Sequence, residues 1–273
     1  MQLFSSWTGS DFLLFYIMLL GFSAFAAWWI PAHLRDQGRR SESPDAEDLA
    51  MLEGGRVRYT DSVIADLFAR GGLKDDGQNK LRVAEPGLPA SPAGRALLAA
   101  REPFSRSEAD NMLATHASRM TARLRREGLL LRPDALSRLR WLSIAPFVAV
   151  FVIGLYRQRA GAALGEPTGF LVVLLVLTGV LAVIRFAKFD GRTVAGITAV
   201  MQMREKSSRL RRAPQAGEAG IAVALFGTGI LVGTPWEPVH AMRQQGSGDG
   251  GGGSDSSSDG GGDGGGGCGG CGG

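Results

Sequence analysis

The sequence predicts a mainly α, multi-span membrane protein with a small cytoplasmic winged-helix-like α+β domain and a disordered Gly-rich tail. Three observations carry that reading. Two apolar runs, Leu142 to Tyr156 and Gly169 to Ala187, flank a short loop containing Arg157, Arg159, Gly161, Gly165 and Pro167. Each run approaches the roughly 20 residues a helix needs to cross a bilayer, so together they read as a transmembrane hairpin. A third apolar run, Phe12 to Ile30, lies near the N-terminus, and the last residues are almost all Gly, Ser and Asp. The apolar residues fall in blocks, so averages over the 273 residues conceal the organisation.

The N-terminal run reads as an uncleaved anchor spanning residues 1–31. A removable secretory signal has a basic start, and the first eleven residues carry Asp11 but no Lys or Arg. Trp28 and Trp29 suit the headgroup level, where an amphipathic ring has both an apolar and a wet side. Arg35, Arg39 and Arg40 follow at once. By the positive-inside bias they stay in the cytoplasm, which sets the N-terminus outside and the next segment inside the bacterial cytoplasmic (inner) membrane. The hairpin, 141–188, then crosses outward and back. It is followed by Lys188, Arg192, Arg204, Lys206, Arg209, Arg211 and Arg212 on the cytoplasmic side. Arg185, in the last turn of its run, can reach the interface along its aliphatic stem. The net charge of +4 is small, and its uneven distribution bears on orientation before it bears on nucleic acid.

Residues 44–140 read as the cytoplasmic domain. Ala46, Leu49, Ala50 and Leu52 suggest a short helix stopped by Gly54 and Gly55. Val63, Ile64, Leu67 and Phe68 mark one face of a second helix over Thr60 to Arg70, ended by Gly71 and Gly72. The turn-like Asp75-Asp76-Gly77 and the alternating Lys80-Leu81-Arg82-Val83 predict a small hairpin. A loop with Pro86, Pro89 and Pro92 follows. Ser105 and Glu108 then form a capping box, opening a helix with Ala109, Met112, Leu113, Met120 and Leu124 on its apolar side and Gly128 at its end. Leu129 to Leu131 read as a short strand, and Leu124 to Leu130 echoes Leu67 to Leu73 as a weak internal repeat. Helix, helix, glycine stop and hairpin is the order of winged-helix modules; a compact helical domain without a binding role fits the same order.

Residues 189–245 read as an amphipathic, interfacial segment. Thr193 to Leu210 carries Ile197, Val200, Met201 and Met203 on its apolar side. Gly217 to Gly233 is apolar but interrupted by five glycines, each costing about 1 kcal/mol in a helix interior relative to Ala. It reads as interfacial or packed, with a fourth span as the alternative. Residues 246–273 lack side chains able to offset the entropy of ordering and read as a disordered leash.

Few residue groups carry chemistry. Cys268 and Cys271, the only cysteines, have the spacing that can chelate a metal such as zinc or close a redox disulfide. A second ligand pair is missing, and a glycine leash does not lower a thiol's pKa, so an inert low-complexity run is the competing reading. Arg119, Arg123, Arg125 and Arg126 are the densest basic group of the domain, with Arg119 and Arg123 on one helical face and the other two pointing elsewhere. They suit nucleic acid, anionic lipid or plain solvation. The acids around them leave the domain nearly balanced, which weighs against nucleic acid. His33, His116 and His240 are scattered, and no phosphate loop, nucleophile elbow or His-Glu metal motif is present.

In Asp45-Ala-Glu-Asp-Leu-Ala-Met-Leu-Glu-Gly-Gly55, Val63 to Leu73, the paired spans, Val223-Ala-Leu-Phe-Gly227 and Cys268-Gly-Gly-Cys271-Gly-Gly273, the chain resembles a family of uncharacterised bacterial membrane proteins. That family has an N-terminal span, a cytoplasmic Leu-x-Gly-Gly-type helical domain, a transmembrane hairpin and a Gly-rich, Cys-containing C-terminal tail. Where it has a tyrosine before the leucine of the first helix stop, this chain has Ala50-Met51. The resemblance implies a topology and no activity. The expectation is a non-enzymatic interaction or scaffold protein with a protein partner. Its alternatives are a membrane-tethered DNA-binding regulator and a redox or metal role for the tail.

Overall fold

The computed structural model describes residues 9–39, 44–163, 169–187, 189–212 and 214–246. The chain is mainly helical, and three of its helices are long and apolar enough to cross a membrane: α1 (Gly9–Leu34), α5 (Pro133–Ala163) and α6 (Gly169–Ala187). They pack as a bundle in which α5 touches both others. Phe12, Tyr16, Val150, Leu171 and Leu175 fill one end of its interior, and Leu20, Ala27 and Phe147 continue it. Inside, the Tyr16 hydroxyl lies 3.0 Å from Thr178 Oγ1, which itself donates to the Leu174 carbonyl at 2.7 Å. The threonine proton is thereby used, so Tyr16 is the donor of the interhelical bond. The outward faces carry Leu14, Ile17, Phe22, Val152, Phe170 and Val173, all exposed.

α5 starts nine residues before the apolar run does, because Pro133 suits a first helical turn and nothing in Asp134 to Trp141 breaks the helix. α1 likewise runs through Pro31.

The second body is a helical head. Its central helix is α2 (Ala46–Ala69). As expected, helical geometry breaks at Gly54 (φ −140°, ψ 18°) and Gly55 (φ 61°, ψ −151°), so α2 is two helical segments joined across a kink. Gly55 lies in the left-handed half of backbone space, which side chains other than glycine rarely tolerate. The predicted hairpin is present as β1 (Leu73–Gly77) and β2 (Lys80–Val83), turning through Gln78 and Asn79, both at positive φ. β2 also pairs with the two-residue β3 (Phe104–Ser105), giving a three-stranded antiparallel sheet in the order β1-β2-β3.

The stretch expected as a Pro-rich loop contains a helix, α3 (Pro92–Leu98). Ser91 caps it by accepting the Gly94 amide at 3.0 Å, and Pro92 occupies the first position, where a missing N–H costs nothing. α4 (Arg106–Arg126) opens with the Ser105–Glu108 capping box. Leu129 to Leu131 is not a strand of the sheet; Leu130 makes a lone bridge to Arg192.

The 189–245 segment supplies α7 (Val194–Lys206), α8 (Ala219–Phe226) and α9 (Glu237–Gly246). Val223, Ala224 and Leu225 of α8 are fully buried in one core with Leu49, Ile64, Leu67, Leu97, Leu113 and Leu124. One of the glycines thought to weaken this stretch, Gly220, lets it pack. A Cβ on Gly220 would lie 2.9 Å from the Asp66 Cβ, so only glycine brings α8 this close to α2. There, Ser62 donates to the Gly220 carbonyl at 2.8 Å. On α7, Val200 is buried and Met201, expected on the apolar side, is exposed.

A collar joins head and bundle. The Val194 and Ala195 amides donate to Asp36 and Gln37 carbonyls at 3.0 Å, and Leu131 donates to Gly191 at 2.9 Å. Thr193 Oγ1 donates to the Gly128 carbonyl at 2.8 Å. Arg192 links Asp190 (2.9 Å) to Glu53 (2.7 Å), and Arg204 also reaches Glu53 (2.6 Å). Glu53 adjoins the α2 kink, so the bend in α2 is tied to the chain that leaves α6.

Candidate functional site

The antiparallel course of α2 and α4, with α3 and α8 closing the ends, leaves a cleft of about 810 Å³ in the head. Its α4 wall is His116, Arg119, Met120, Arg123 and Arg126. Positions 116, 119, 123 and 126 advance by three or four residues at a time, with Met120 one turn beyond His116, and a helix turns about 100° per residue, so they form one stripe. This corrects the expectation that Arg126 points away from Arg119 and Arg123. Arg125 does lie outside the cleft, exposed on another face. The opposite wall is Tyr59, Ser62, Val63, Asp66 and Leu67 of α2, with Asp45, Ala46 and Glu47 at its start. Ala90 to Gly94 and the Gly217, Gly220 and Ile221 side complete it.

The charges of the cleft are unequally committed. Asp48, just behind the wall and with its side chain 6% exposed, receives Arg123. Arg123 also meets Glu127 at 3.3 Å. Burial pushes the Asp48 carboxyl above its usual range, and the attraction of Arg123 only partly offsets this. Asp66 is paired with Arg70 at 3.0 Å. Glu47 accepts the Tyr59 hydroxyl at 3.1 Å, and Asp45 holds the N-cap of α2. In contrast, the side chains of Arg119 and Arg126 make no ion pair or hydrogen bond among the described residues, and both are exposed. Asp48 and Asp66 are paired with arginines, Glu47 meets only the neutral Tyr59 hydroxyl and Asp45 no cation, so the cleft sets carboxylates on its α2 wall opposite the free guanidiniums of Arg119 and Arg126.

The hydroxyls are unsuited to nucleophilic work. Burial, followed by the charge and hydrogen bond of Glu47, raises the Tyr59 pKa above its ordinary range, so the phenol keeps its proton. Ser62 donates to Gly220 and Ser91 caps α3. Among the described residues no group of three or more His, Cys, Asp or Glu is placed to hold a metal ion. Cys268 and Cys271, the proposed zinc or redox pair, lie outside the described residues. What the cleft can do is bind: an apolar floor of Val63, Leu67, Met120 and Ile221 runs beside free cations.

The sequence does not mark His116, α2 and α8 as parts of one cleft. The spacing 116, 119, 123, 126 was the available signal. The α8 contribution had none, since Gly220 meets Ser62 across 158 residues of chain. No protein-family model matches the chain, and neither a curated protein nor a solved structure resembles it significantly.

Proposed function

We propose that the chain is an integral protein of the bacterial cytoplasmic membrane, with α1, α5 and α6 as its three spans. Its head, facing the cytoplasm, works as a non-enzymatic interaction module that holds a protein partner in the α2–α4 cleft. The membrane reading is supported by the apolar outward faces of the three helices, an exposed area too extensive to be comfortable in water. The orientation is supported by Arg35, Arg138, Arg140, Arg192 and Arg204, all at the bundle end that carries the head. At the other end of the bundle, Arg157 is buried with its guanidinium 5.7 Å from the Phe12 ring centroid, while Arg159 is exposed.

The observation that carries the interaction reading is the cleft itself, where an apolar floor adjoins two unpaired arginines. Placing a photocrosslinking residue at Met120 in intact cells tests it. Protein adducts are expected, and filling the cleft by Ala90→Trp should abolish them. Absence of adducts from Met120 while a control position on the exposed face of α4 behaves identically would defeat the reading.

A membrane-tethered DNA-binding regulator stands second, favoured by the exposed Arg125 and Arg126 at the end of α4. It requires a mobility shift that weakens steeply with salt, because neutralised phosphates release counterions.

A further inference from the structure

Independently of the cleft, we infer that Arg185 is a latch between α6 and α1: it supplies the hydrogen bond that Pro31 removes from α1, and so fixes the direction in which α1 delivers Asp36 and Gln37 to the collar. The sequence predicts that Arg185 reaches along its aliphatic stem to the membrane interface. Its guanidinium instead turns inward to the Ala27 carbonyl, donating through Nη2 at 2.8 Å and through Nε at 3.2 Å. Ala27 lies four residues before Pro31 within α1. Proline has no N–H, so this is the carbonyl that Pro31 leaves without a partner in the helix. Ala27 is buried, and a buried carbonyl needs a donor from the protein.

Arg185 is committed to this role. No carboxylate pairs with it among the described residues, and its fork closes on one oxygen with two N–H groups, in the stronger, charge-assisted kind of bond. The other intrahelical proline, Pro146 of α5, frees the Leu142 carbonyl, to which no side chain donates among the described residues. The pairing of proline with arginine is therefore particular to α1. What α1 carries past Pro31 matters to the head. Val194 and Ala195 open α7, where a helix has no internal acceptors for its amides, and they donate to the Asp36 and Gln37 carbonyls at 3.0 Å. Arg35, on the same short stretch, donates to the Arg192 carbonyl at 3.0 Å. The chain leaving α1 thus caps α7, and its direction is set where Arg185 holds Ala27.

Other roles for Arg185 fit less well. A guanidinium extended to lipid headgroups would point away from α1, and this one has both of its bonds there. The Phe189 ring centroid, 5.8 Å from the guanidinium, is near the outer limit of a cation–π contact and is indifferent to a proline in α1. A merely packed side chain would need no donor at all. Only the replacement of a missing hydrogen bond makes the effect of losing Arg185 depend on residue 31.

The test uses the full chain in detergent micelles and amide hydrogen exchange, read by mass spectrometry over the segment that contains the Val194 and Ala195 amides. Arg185→Met keeps an unbranched stem and removes the donors. It should speed exchange in that segment about tenfold, because the buried carbonyl loses its partner and the capping chain loosens. In the Pro31→Ala background the amide at position 31 donates to Ala27, so the same Arg185→Met change should alter exchange by less than about twofold. Pro146→Ala, which restores an amide in α5, should leave the effect of Arg185→Met in place. Equal effects of Arg185→Met with and without Pro31→Ala, no effect in either background, or equal rescue by Pro146→Ala overturns the inference. If Arg185→Met alone does not accumulate as folded protein, the chain carrying both Arg185→Met and Pro31→Ala should; failure of that double variant while Pro31→Ala alone folds also overturns it.

Discussion

Asp61 carries the heaviest electrostatic duty in the head. Its side chain is 2% exposed and receives Arg106 at 2.6 Å through one oxygen and Arg243 through the other. Removing one member of such a cluster leaves buried charge uncompensated, which typically costs about 3–5 kcal/mol. Asp61→Asn should therefore lower the stability of the head by about 3 kcal/mol, read as a shift of the chemical denaturation midpoint. Asp190, in the collar, predicts a pH effect. Burial alone would raise its carboxyl, but hydrogen bonds and charge from Arg192, with help from Arg35, outweigh that and leave it below the usual range. A depressed carboxyl contributes stability that is complete above the unfolded value, about pH 4, and lost as pH falls through the lower folded value. The wild-type head should lose stability below about pH 4 more steeply than Asp190→Asn, which lacks the titrating group. These residues also mark the reach of sequence reasoning. The Ser105–Glu108 box was legible because its partners are three residues apart. Arg106 and Arg243 lie 45 and 182 residues from Asp61, and no local pattern announces them.

Among the elements, the hairpin, the capped helix and the three apolar helices were legible, since each is written in a local period or a turn. α8 was not. Its glycine, Gly220, lowers intrinsic helix propensity, yet the tertiary setting reverses its meaning, because a side chain there would meet Asp66 of α2. The break at Gly54–Gly55, by contrast, was legible, since the backbone does leave helical geometry there, while the clasp of the adjoining Glu53 by Arg192 and Arg204 was not. Gly220→Val should push α8 away from α2 and cost about 1–3 kcal/mol, the usual range for overpacking. The same change at Gly217, which has open space around it, should cost measurably less when the two thermal transitions are compared.

At the scale of the whole molecule, the head is discontinuous in sequence: its core is completed by residues that follow the last apolar helix. A fragment of residues 44–140 should accordingly show no cooperative unfolding transition by circular dichroism. A chain joining 44–132 to 189–246 through a flexible linker should restore one. The collar shares this logic, since Asp36 and Gln37 before the head, Leu129 and Leu131 after α4, and Gly191 to Ala195 after α6 meet in one network. The domain limits read from the sequence followed composition, and composition does not reveal that two stretches of unlike character share a core.

That arrangement sets a timetable for biosynthesis. Roughly 150 residues separate α2 from the end of α8, so at about 5–20 residues per second the ribosome needs on the order of ten seconds to deliver the cover for α2. On the three-span proposal, α5 and α6 must meanwhile enter the membrane. The nascent head waits with an uncovered apolar face, which makes the interval of synthesis, and not the finished fold, the point at which a slow or damaged α8 would first be felt.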